Sequence, residues 1–144
     1  MTTNPSQSGW ALDPQIERDT MPIGDMALCR VLLMRDANYP WLLLVPRRHG
    51  ASELTDLDAA EQVQLIAETA KAADVLKTFT ACDKINLAAL GNVVPQLHVH
   101  VIARRRSDPA WPKPVWNVVP ARPYEPAEAE KLIGALKQRL TLVT

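Results

Sequence analysis

Two runs of apolar residues in the first half of the chain predict a pair of β-strands. Residues 26–34 (MALCRVLLM) and 41–45 (WLLLV) are almost entirely apolar, and the segment 35–40 between them (RDANYP) has the composition of a turn. Two short apolar runs joined by a turn are typical of an antiparallel hairpin. Because neither run alternates cleanly between apolar and polar residues, we expect both faces of the hairpin to be covered.

A long helix is predicted after the hairpin. Asp56 and Asp58 are candidate N-caps, because a carboxylate can accept hydrogen bonds from the unpaired N–H groups of a first helical turn. Apolar residues then follow at helical spacing and predict the buried face: Val63, Ile66, Ala70, Ala73 and Leu76. Polar residues between them are expected to face water: Glu61, Gln64, Glu68, Lys71 and Lys77. The helix should end near residues 79–81.

The second half of the chain predicts two more strands and a closing helix. Residues 84–90 (KINLAAL) form a third apolar run, and residues 97–103 (LHVHVIA) form a fourth run with clear alternation. Residues 128–140 carry leucines at helical spacing. The order β-β-α-β-β-α predicts an α+β fold, in which a mostly antiparallel sheet packs against one long central helix and a C-terminal helix.

Chain length and proline positions indicate how the chain is organised. The 144 residues are expected to form a single domain. Nine of the 12 prolines lie near the N-terminus or between residues 109 and 126, and proline fits neither a helix interior nor a central strand. We therefore expect a proline-rich N-terminal arm over residues 1–23, a folded core over about 24–116 and the C-terminal helix over about 126–140.

The charge balance and the cysteines limit the class of protein. Sixteen basic and 16 acidic residues cancel to a formal net charge of zero, whereas nucleic-acid coat proteins and polybasic membrane binders are strongly basic. We therefore expect no nucleic-acid or membrane partner, while a small phosphate-bearing ligand needs only a local positive field. Cys29 and Cys82 form no metal or disulfide motif. Residues 1–9 lack an apolar signal core, so a cytoplasmic protein is expected.

The fourth predicted strand carries two histidines on one face. Because side chains alternate between the faces of a strand, Gln96, His98 and His100 share a face, and the opposite face is apolar: Leu97, Val99, Val101 and Ala103. A single histidine is more often a structural residue. Two imidazoles and an amide are costly to bury without a function, so the pattern favours a functional site.

Three chemistries suit two histidines on one face. The first is a metal site, but zinc needs a third or fourth ligand, and His49 is the only other histidine. The second is general acid–base catalysis on a substrate without phosphate. The third is nucleophilic catalysis, in which a neutral imidazole attacks phosphorus and forms a phosphoramidate intermediate. That route needs a nucleophile held in one tautomer and donors around the phosphate.

Residues 96–102 (QLHVHVI) resemble the motif of the histidine-triad (HIT) superfamily, His-φ-His-φ-His-φ-φ, in which φ is apolar. Only the first histidine is replaced, by Gln96. Upstream, residues 42–49 (LLLVPRRH) resemble a strand of Hint-like proteins that ends in Pro, two basic residues and His. The resemblance covers about residues 26–116 and implies a HIT-like fold similar to that of the small Hint-like and Fhit-like proteins.

The resemblance implies a role for each triad position. His98 matches the central histidine, which attacks the α-phosphorus of a nucleotide and is transiently nucleotidylated. His100 matches the last histidine, which contacts the phosphate, and Gln96 replaces the first, which supports the nucleophile. The implied substrates are nucleoside phosphoramidates, adenylates such as aminoacyl-adenylates, and dinucleoside polyphosphates. The implied reaction uses no metal or cofactor, and the implied assembly is a homodimer.

Four further residues are candidates for nucleotide or phosphate binding. Asn86 lies about where the family places an amide that contacts phosphate, and Asn92 matches an amide in the family's loop before the triad. Arg104 shares the face of His98 if the strand continues that far, and His49 ends the upstream motif.

A second departure from the family concerns residue 93. The family commonly has Ser or Thr five residues before the nucleophile, whereas this chain has Val93, which cannot donate a hydrogen bond to a phosphate. Together with Gln96, this difference leaves an alternative open. The chain would then be a nucleotide-binding sensor or partner module with little or no turnover.

Overall fold

One antiparallel sheet of five strands organises the chain. The computed structural model describes residues 9–143, and the strands follow the order β1-β2-β3-β5-β4 across the sheet. Every neighbouring pair is antiparallel, so the predicted fold class and the predicted hairpin are confirmed. The strands are β1 (Thr20–Asp25), β2 (Cys29–Met34), β3 (Trp41–Pro46), β4 (Lys84–Ala88) and β5 (Val99–Arg104).

The predicted long helix and C-terminal helix are both confirmed. Within the described residues the α-helices are α1 (Pro14–Asp19), α2 (Ala59–Thr80) and α3 (Pro126–Arg139). The N-cap of α2 is Asp58, whose carboxylate accepts a 2.8 Å hydrogen bond from the N–H of Glu61, and the Glu61 carboxylate accepts one from the N–H of Asp58 in return. Asp56, the other candidate cap, lies in a preceding 3-10 turn.

The buried face of α2 differs from the predicted one. Val63 and Ile66 are 71% and 63% exposed. Glu68, expected to face water, is buried, because its carboxylate accepts hydrogen bonds from the N–H groups of Leu28 and Cys29 at 2.9 and 2.8 Å. The helix is rich in alanine, so its pattern is compatible with two neighbouring apolar stripes, and these two backbone donors favour the stripe that contains Glu68. The other buried residues of α2 are Leu65, Thr69, Ala72, Val75 and Leu76.

The N-terminal segment contains more secondary structure than its prolines predict. Pro14 occupies the first turn of α1, where a missing N–H costs nothing. Pro22 lies in β1, which is an edge strand with an irregular register at this point. The prediction of an arm over residues 1–23 is therefore wrong for residues 14–23, while residues 1–8 lie outside the described part of the chain.

The two faces of the sheet are covered by different parts of the chain, as the unbroken apolar runs predict. The helix face, which includes Leu44 and Val101, packs against α2 and α3 in the largest apolar cluster. The opposite face, here called the histidine face, includes Leu43 and carries two smaller clusters. The N-terminal segment covers part of it with Trp10, Leu12 and Ile16. The loop after β5 covers another part with Ala110, Val115 and Trp116.

Both cysteines are unpaired and buried. Burial and the neighbouring Glu68 carboxylate raise the pKa of the Cys29 thiol, so this thiol stays protonated and is a poor nucleophile. None of the helices within residues 9–143 is long and apolar enough to cross a membrane.

Candidate active site at the paired histidines

Two buried imidazole rings lie side by side on the histidine face. His98 immediately precedes β5 and His100 is the second residue of that strand, and their exposed fractions are 8% and 6%. The two ring centroids are 4.9 Å apart. Leu97 and Val101 belong to the apolar cluster on the helix face, so the predicted alternation along this segment is confirmed.

The tautomer of His100 follows from its contact with Trp41 on β3. The indole Nε1–H of Trp41 donates a hydrogen bond to Nδ1 of His100 at 3.0 Å. Because an indole N–H can only donate, Nδ1 of His100 accepts, and the neutral ring carries its proton on Nε2. Burial, with a smaller contribution from the charge of His98, lowers the pKa of His100 to about 4. At pH 7 His100 is therefore a neutral ring with an Nε2–H donor.

His98 is held in the opposite tautomer. Its Nδ1 atom lies 2.6 Å from the backbone carbonyl oxygen of Gln96. Because a carbonyl oxygen can only accept, Nδ1 of His98 carries the proton, and the lone pair of the neutral ring is on Nε2. The site thus combines an imidazole with a free Nε2 lone pair and a neighbouring imidazole with an Nε2–H donor, which is an arrangement suited to attack on a group that carries negative oxygens.

Aromatic rings enclose His100. The centroids of Trp41 and Trp116 lie 5.6 and 5.0 Å from the centroid of His100, and the two indoles are 5.6 Å from one another. This enclosure removes water from the imidazole, which is the physical cause of its lowered pKa. Because Trp116 comes from the loop after β5, that loop forms one wall of the site.

The side chain of Gln96 contacts the N-terminal segment. Its carbonyl oxygen Oε1 accepts a hydrogen bond from the N–H of Asp13 at 2.9 Å, and its Nε2 donates to the carbonyl oxygen of Ala11 at 2.9 Å. The amide oxygen and nitrogen are thus both engaged by backbone groups. The contact that Gln96 makes with His98 comes from its backbone and not from its side chain.

One cavity is lined by His98, and a second is lined by the tryptophans that contact His100. The first, of about 240 Å³, is lined by His98, the 3-10 turn region at residues 52–54 and the loop at residues 89–91. The second, of about 350 Å³, is lined by Trp41 and Trp116, whose rings contact His100. Charged residues of α1 and of the turn after β2 also line this second cavity: Arg18, Asp19, Arg35 and Asp36.

Arg104 and Asn86 have a different setting from the phosphate contact expected of them. Arg104 is 1% exposed, and its guanidinium donates to both carboxylate oxygens of Asp108 at 2.8 and 3.1 Å and to Oδ1 of Asn86 at 2.8 Å. The rings of Tyr39 and Trp111 lie within 5.7 and 5.6 Å of it. The guanidinium is therefore committed to a buried ion pair, with Asn86 as a further partner, and is not presented to a phosphate at the histidines.

The remaining candidate residues lie at the surface. His49 is exposed after β3, and Asn92 is exposed in the loop before the histidines. Val93, next to Asn92, is 91% exposed. In the described part of the chain no group of three or more His, Cys, Asp or Glu side chains could hold a metal ion. His49 therefore does not complete a metal site with His98 and His100.

The sequence pattern does not point to Trp41, the residue that orients His100. Trp41 is visible in the sequence only as the first residue of an apolar strand. The pairing of β3 with β5, which places Trp41 opposite Ile102 and near His100, is not encoded in any local periodicity. Trp116 lies in a proline- and tryptophan-rich loop whose path no repeat predicts. The sequence signal for an aromatic wall is the proline-rich stretch after the histidines, which carries Trp111 and Trp116.

A family comparison defines the class of protein to which this site belongs. The model of the HIT domain family matches residues 15–107, which is more than half of the chain. The chain therefore belongs to the HIT domain family. No match was found among curated proteins.

Solved structures of histidine triad proteins are similar over nearly the whole chain. A histidine triad protein of Bradyrhizobium japonicum is 51% identical with a TM-score of 0.90, and the match covers 91% of this chain and 98% of that one. A histidine triad protein of Sinorhizobium meliloti is 44% identical with a TM-score of 0.90, over 93% and 99% of the two chains. One from Marinobacter aquaeolei is 40% identical with a TM-score of 0.88, over 91% and 96%.

Proposed function

We propose that this chain is a nucleotide hydrolase or nucleotidyltransferase in which His98 attacks the α-phosphorus. The observation that carries the proposal is the pair of opposite tautomers, with Nδ1 of His98 against a carbonyl oxygen and Nδ1 of His100 against an indole N–H. This pair gives a nucleophilic nitrogen beside a neutral donor, as in-line attack on a phosphate requires. Membership of the HIT family supports a nucleotide as the substrate.

The proposed reaction has two displacements at phosphorus. In the first, the Nε2 lone pair of His98 forms an N–P bond while the bond between phosphorus and the leaving group breaks. The leaving group departs with the electron pair of that bond and takes up a proton from solvent. The hydrogen bond from Nδ1–H to the Gln96 carbonyl stabilises the charge that develops on the ring. The Nε2–H of His100 donates to a phosphate oxygen. In the second displacement, water or another hydroxyl acceptor forms a bond to phosphorus and loses its proton to solvent. The N–P bond breaks, and its electron pair returns to Nε2 of His98.

The two cavities offer places for the two halves of such a substrate. The cavity lined by Trp41 and Trp116 presents aromatic surface against which a base can pack. The cavity lined by His98 and residues 52–54 is the place that we propose for the leaving group. The substrates that we propose are nucleoside phosphoramidates, adenylates such as aminoacyl-adenylates, and dinucleoside polyphosphates.

Intact mass spectrometry after brief mixing with adenosine 5′-phosphoramidate tests the covalent step. We expect an added adenylyl mass on the wild-type chain, and no added mass on His98→Ala or on His98→Asn, which is closer to imidazole in shape and polarity. Thermal melting of both variants checks that they are folded. An adenylyl mass on the folded His98 variants would contradict the assignment of His98 as the nucleophile.

A binding module with little turnover is the second candidate function. It is favoured by the 91% exposed Val93 in place of a hydroxyl donor, and by Gln96, whose side chain is engaged by the N-terminal segment. The same experiment separates the two candidates. AMP binding by calorimetry, without an adduct and without product over hours, would favour the binding module over the enzyme.

We infer in addition that the chain pairs with a second copy through α2 and β4. Val63 and Ile66 leave apolar surface exposed on α2, and β4 is an edge strand. Leu87 of β4 is 54% exposed and pairs with Val101, so it lies on the same side of the sheet as α2. An exposed strand edge beside exposed apolar side chains is suited to a symmetric contact.

Light scattering coupled to size-exclusion chromatography tests this pairing. We expect a dimer for the wild-type chain and a shift toward monomer for Ile66→Lys, because a lysine ammonium would be desolvated in the contact. Val118→Lys is the matched control, since Val118 is exposed in the loop after β5, and it should stay dimeric. A dimer that tolerates Ile66→Lys would place the contact elsewhere.

A further inference from the structure

The side chain of Gln96 forms a two-point clamp on the N-terminal segment. Oε1 accepts from the N–H of Asp13, and Nε2 donates to the carbonyl oxygen of Ala11, both at 2.9 Å. A carboxamide presents its acceptor and its donor in nearly the same direction, as a peptide group does, so it can pair with two backbone groups of one extended segment. The two nitrogens of an imidazole diverge and cannot reproduce that pairing.

The backbone of Gln96 meets the nucleophile in the same region. Its carbonyl oxygen accepts from Nδ1–H of His98 at 2.6 Å. On the other side of the same peptide group, the N–H of Leu97 donates to the carbonyl oxygen of Ala51 at 3.0 Å. The tautomer of His98 thus depends on the orientation of one peptide group, which is flanked by the clamped side chain of Gln96.

The clamped segment is packed against the sheet and leads to a cavity wall. Trp10 and Leu12 pack against the apolar cluster on the histidine face, and the guanidinium carbon of Arg30 lies 5.0 Å from the centre of the Trp10 ring. Asp13 is the N-cap of α1. Helix α1 then contributes Arg18 and Asp19 to the cavity that Trp41 and Trp116 line.

We propose that Gln96 is a positioning residue that ties residues 10–13 and the start of α1 to the nucleophile. The carboxamide of Gln96 holds the segment, and the same two hydrogen bonds hold Gln96 itself in place. The backbone carbonyl oxygen of Gln96 then accepts from Nδ1–H of His98, which keeps the lone pair of His98 on Nε2. A glutamine at this position thus holds the nucleophile through its backbone. The value of that for catalysis rests on the proposed function, whereas the structural coupling itself does not. The coupling further implies that Gln96→His impairs the site, although this change restores the first histidine of the HIT motif.

Nuclear magnetic resonance of the full chain, labelled uniformly with ¹⁵N, tests the coupling without any substrate. Long-range ¹H–¹⁵N correlations report the tautomer of His98, assigned by its loss in His98→Asn, and amide hydrogen exchange reports the N–H of Asp13. In Gln96→Ala we expect the Nδ1–H to Nε2–H ratio of His98 to fall about fivefold and exchange at Asp13 to rise about tenfold, as for the loss of one hydrogen bond. Gln96→His should change both quantities in the same direction.

Two further variants keep the test decisive. Gln96→Glu retains the acceptor for Asp13 but loses the donor to Ala11, so it should give intermediate changes, and it provides the readout if Gln96→Ala does not fold. Gln62→Ala is the matched control, because it removes a 2.9 Å side-chain bond to a backbone carbonyl at the start of α2, and it should leave the tautomer of His98 unchanged.

The tautomer of His98 decides the outcome. An unchanged tautomer in folded Gln96→Ala, with faster exchange at Asp13, would overturn the proposal and leave the Leu97–Ala51 bond as the sole support of the peptide group. Wild-type behaviour of Gln96→His would also overturn it. A positive result without an adenylyl adduct would leave this coupling standing while the proposed enzyme activity fails.

Discussion

The indole N–H of Trp41 donates a 3.0 Å hydrogen bond to Nδ1 of His100, and the two residues are 59 positions apart in the sequence. This bond leaves Nε2 as the protonated nitrogen of His100. It also means that the aromatic residue beside the site has a polar role, because it selects which nitrogen of the imidazole carries the proton. Replacing the indole with a ring that lacks the N–H should therefore affect the chemistry more than the packing.

Trp41→Phe should lower kcat by about fivefold to tenfold, because the net value of a buried hydrogen bond is about 1 kcal/mol and each 1.4 kcal/mol is a factor of ten in rate. The variant should also show a mixed tautomer of His100 by ¹⁵N nuclear magnetic resonance. Trp116→Phe is the comparison for the tautomer, since Trp116 packs against His100 at 5.0 Å between ring centroids. If Trp116→Phe disturbs the tautomer as much as Trp41→Phe does, packing and not the hydrogen bond is the cause.

The buried neutral state of His100 predicts a pH-dependent loss of stability. Its pKa is lowered from 6.5 to about 4 by burial and by His98, so the unfolded chain takes up the proton first as the pH falls. The stabilisation is present above about pH 6.5 and is lost between about pH 6.5 and 4, by about 3 kcal/mol in total. Urea unfolding across this range should show the wild-type free energy of unfolding falling more steeply than that of His100→Asn. Parallel pH profiles for the two proteins would contradict the assignment.

The histidine pair could be predicted from the sequence because strand alternation is a local rule. Residues 96–100 place their polar side chains on one face whatever the strand pairs with, and the structure confirms that His98 and His100 are neighbours. The long helix could also be predicted, because Asp58 and the helical spacing that follows it are local signals. The HIT-like fold follows from the resemblance of this same short segment and is confirmed.

Other features depend on contacts between distant parts of the chain. The sequence predicts that Glu68 faces water, whereas in the structure it accepts hydrogen bonds from the backbone N–H groups of Leu28 and Cys29. The sequence predicts that Arg104 is a free cation near the site, whereas in the structure it is paired with Asp108. The sequence predicts that the side chain of Gln96 takes part in the triad. In the structure its hydrogen-bond partners lie in the N-terminal segment, more than 80 residues away in sequence. In each case a polar side chain is matched by a group that no periodic pattern reveals.

Breaking the buried pair of Arg104 and Asp108 should destabilise the fold without acting directly on the histidines. Asp108→Asn removes the charge that matches a guanidinium with a side chain only 2% exposed, and leaving a buried charge unmatched costs about 3 kcal/mol or more. Asp83→Asn is the matched control at an exposed ion pair with Arg106, which should cost about 1 kcal/mol or less. Chemical denaturation of the two variants measures both losses. Equal losses would mean that burial of Arg104 carries no special penalty.

Val93→Thr should raise the rate of the first displacement. Threonine has nearly the shape of valine and adds a hydroxyl at the position where the resemblance to HIT proteins places Ser or Thr. Because Val93 is 91% exposed, the change should barely alter stability. A hydroxyl that reaches the phosphate from this exposed position should raise the rate of the first displacement by about tenfold at most. Val93→Ala is the comparison, since it shortens the side chain without adding a donor. Single-turnover kinetics of adenylyl transfer would measure the effect, and equal rates for the Thr and Ala variants would show that residue 93 does not reach the phosphate.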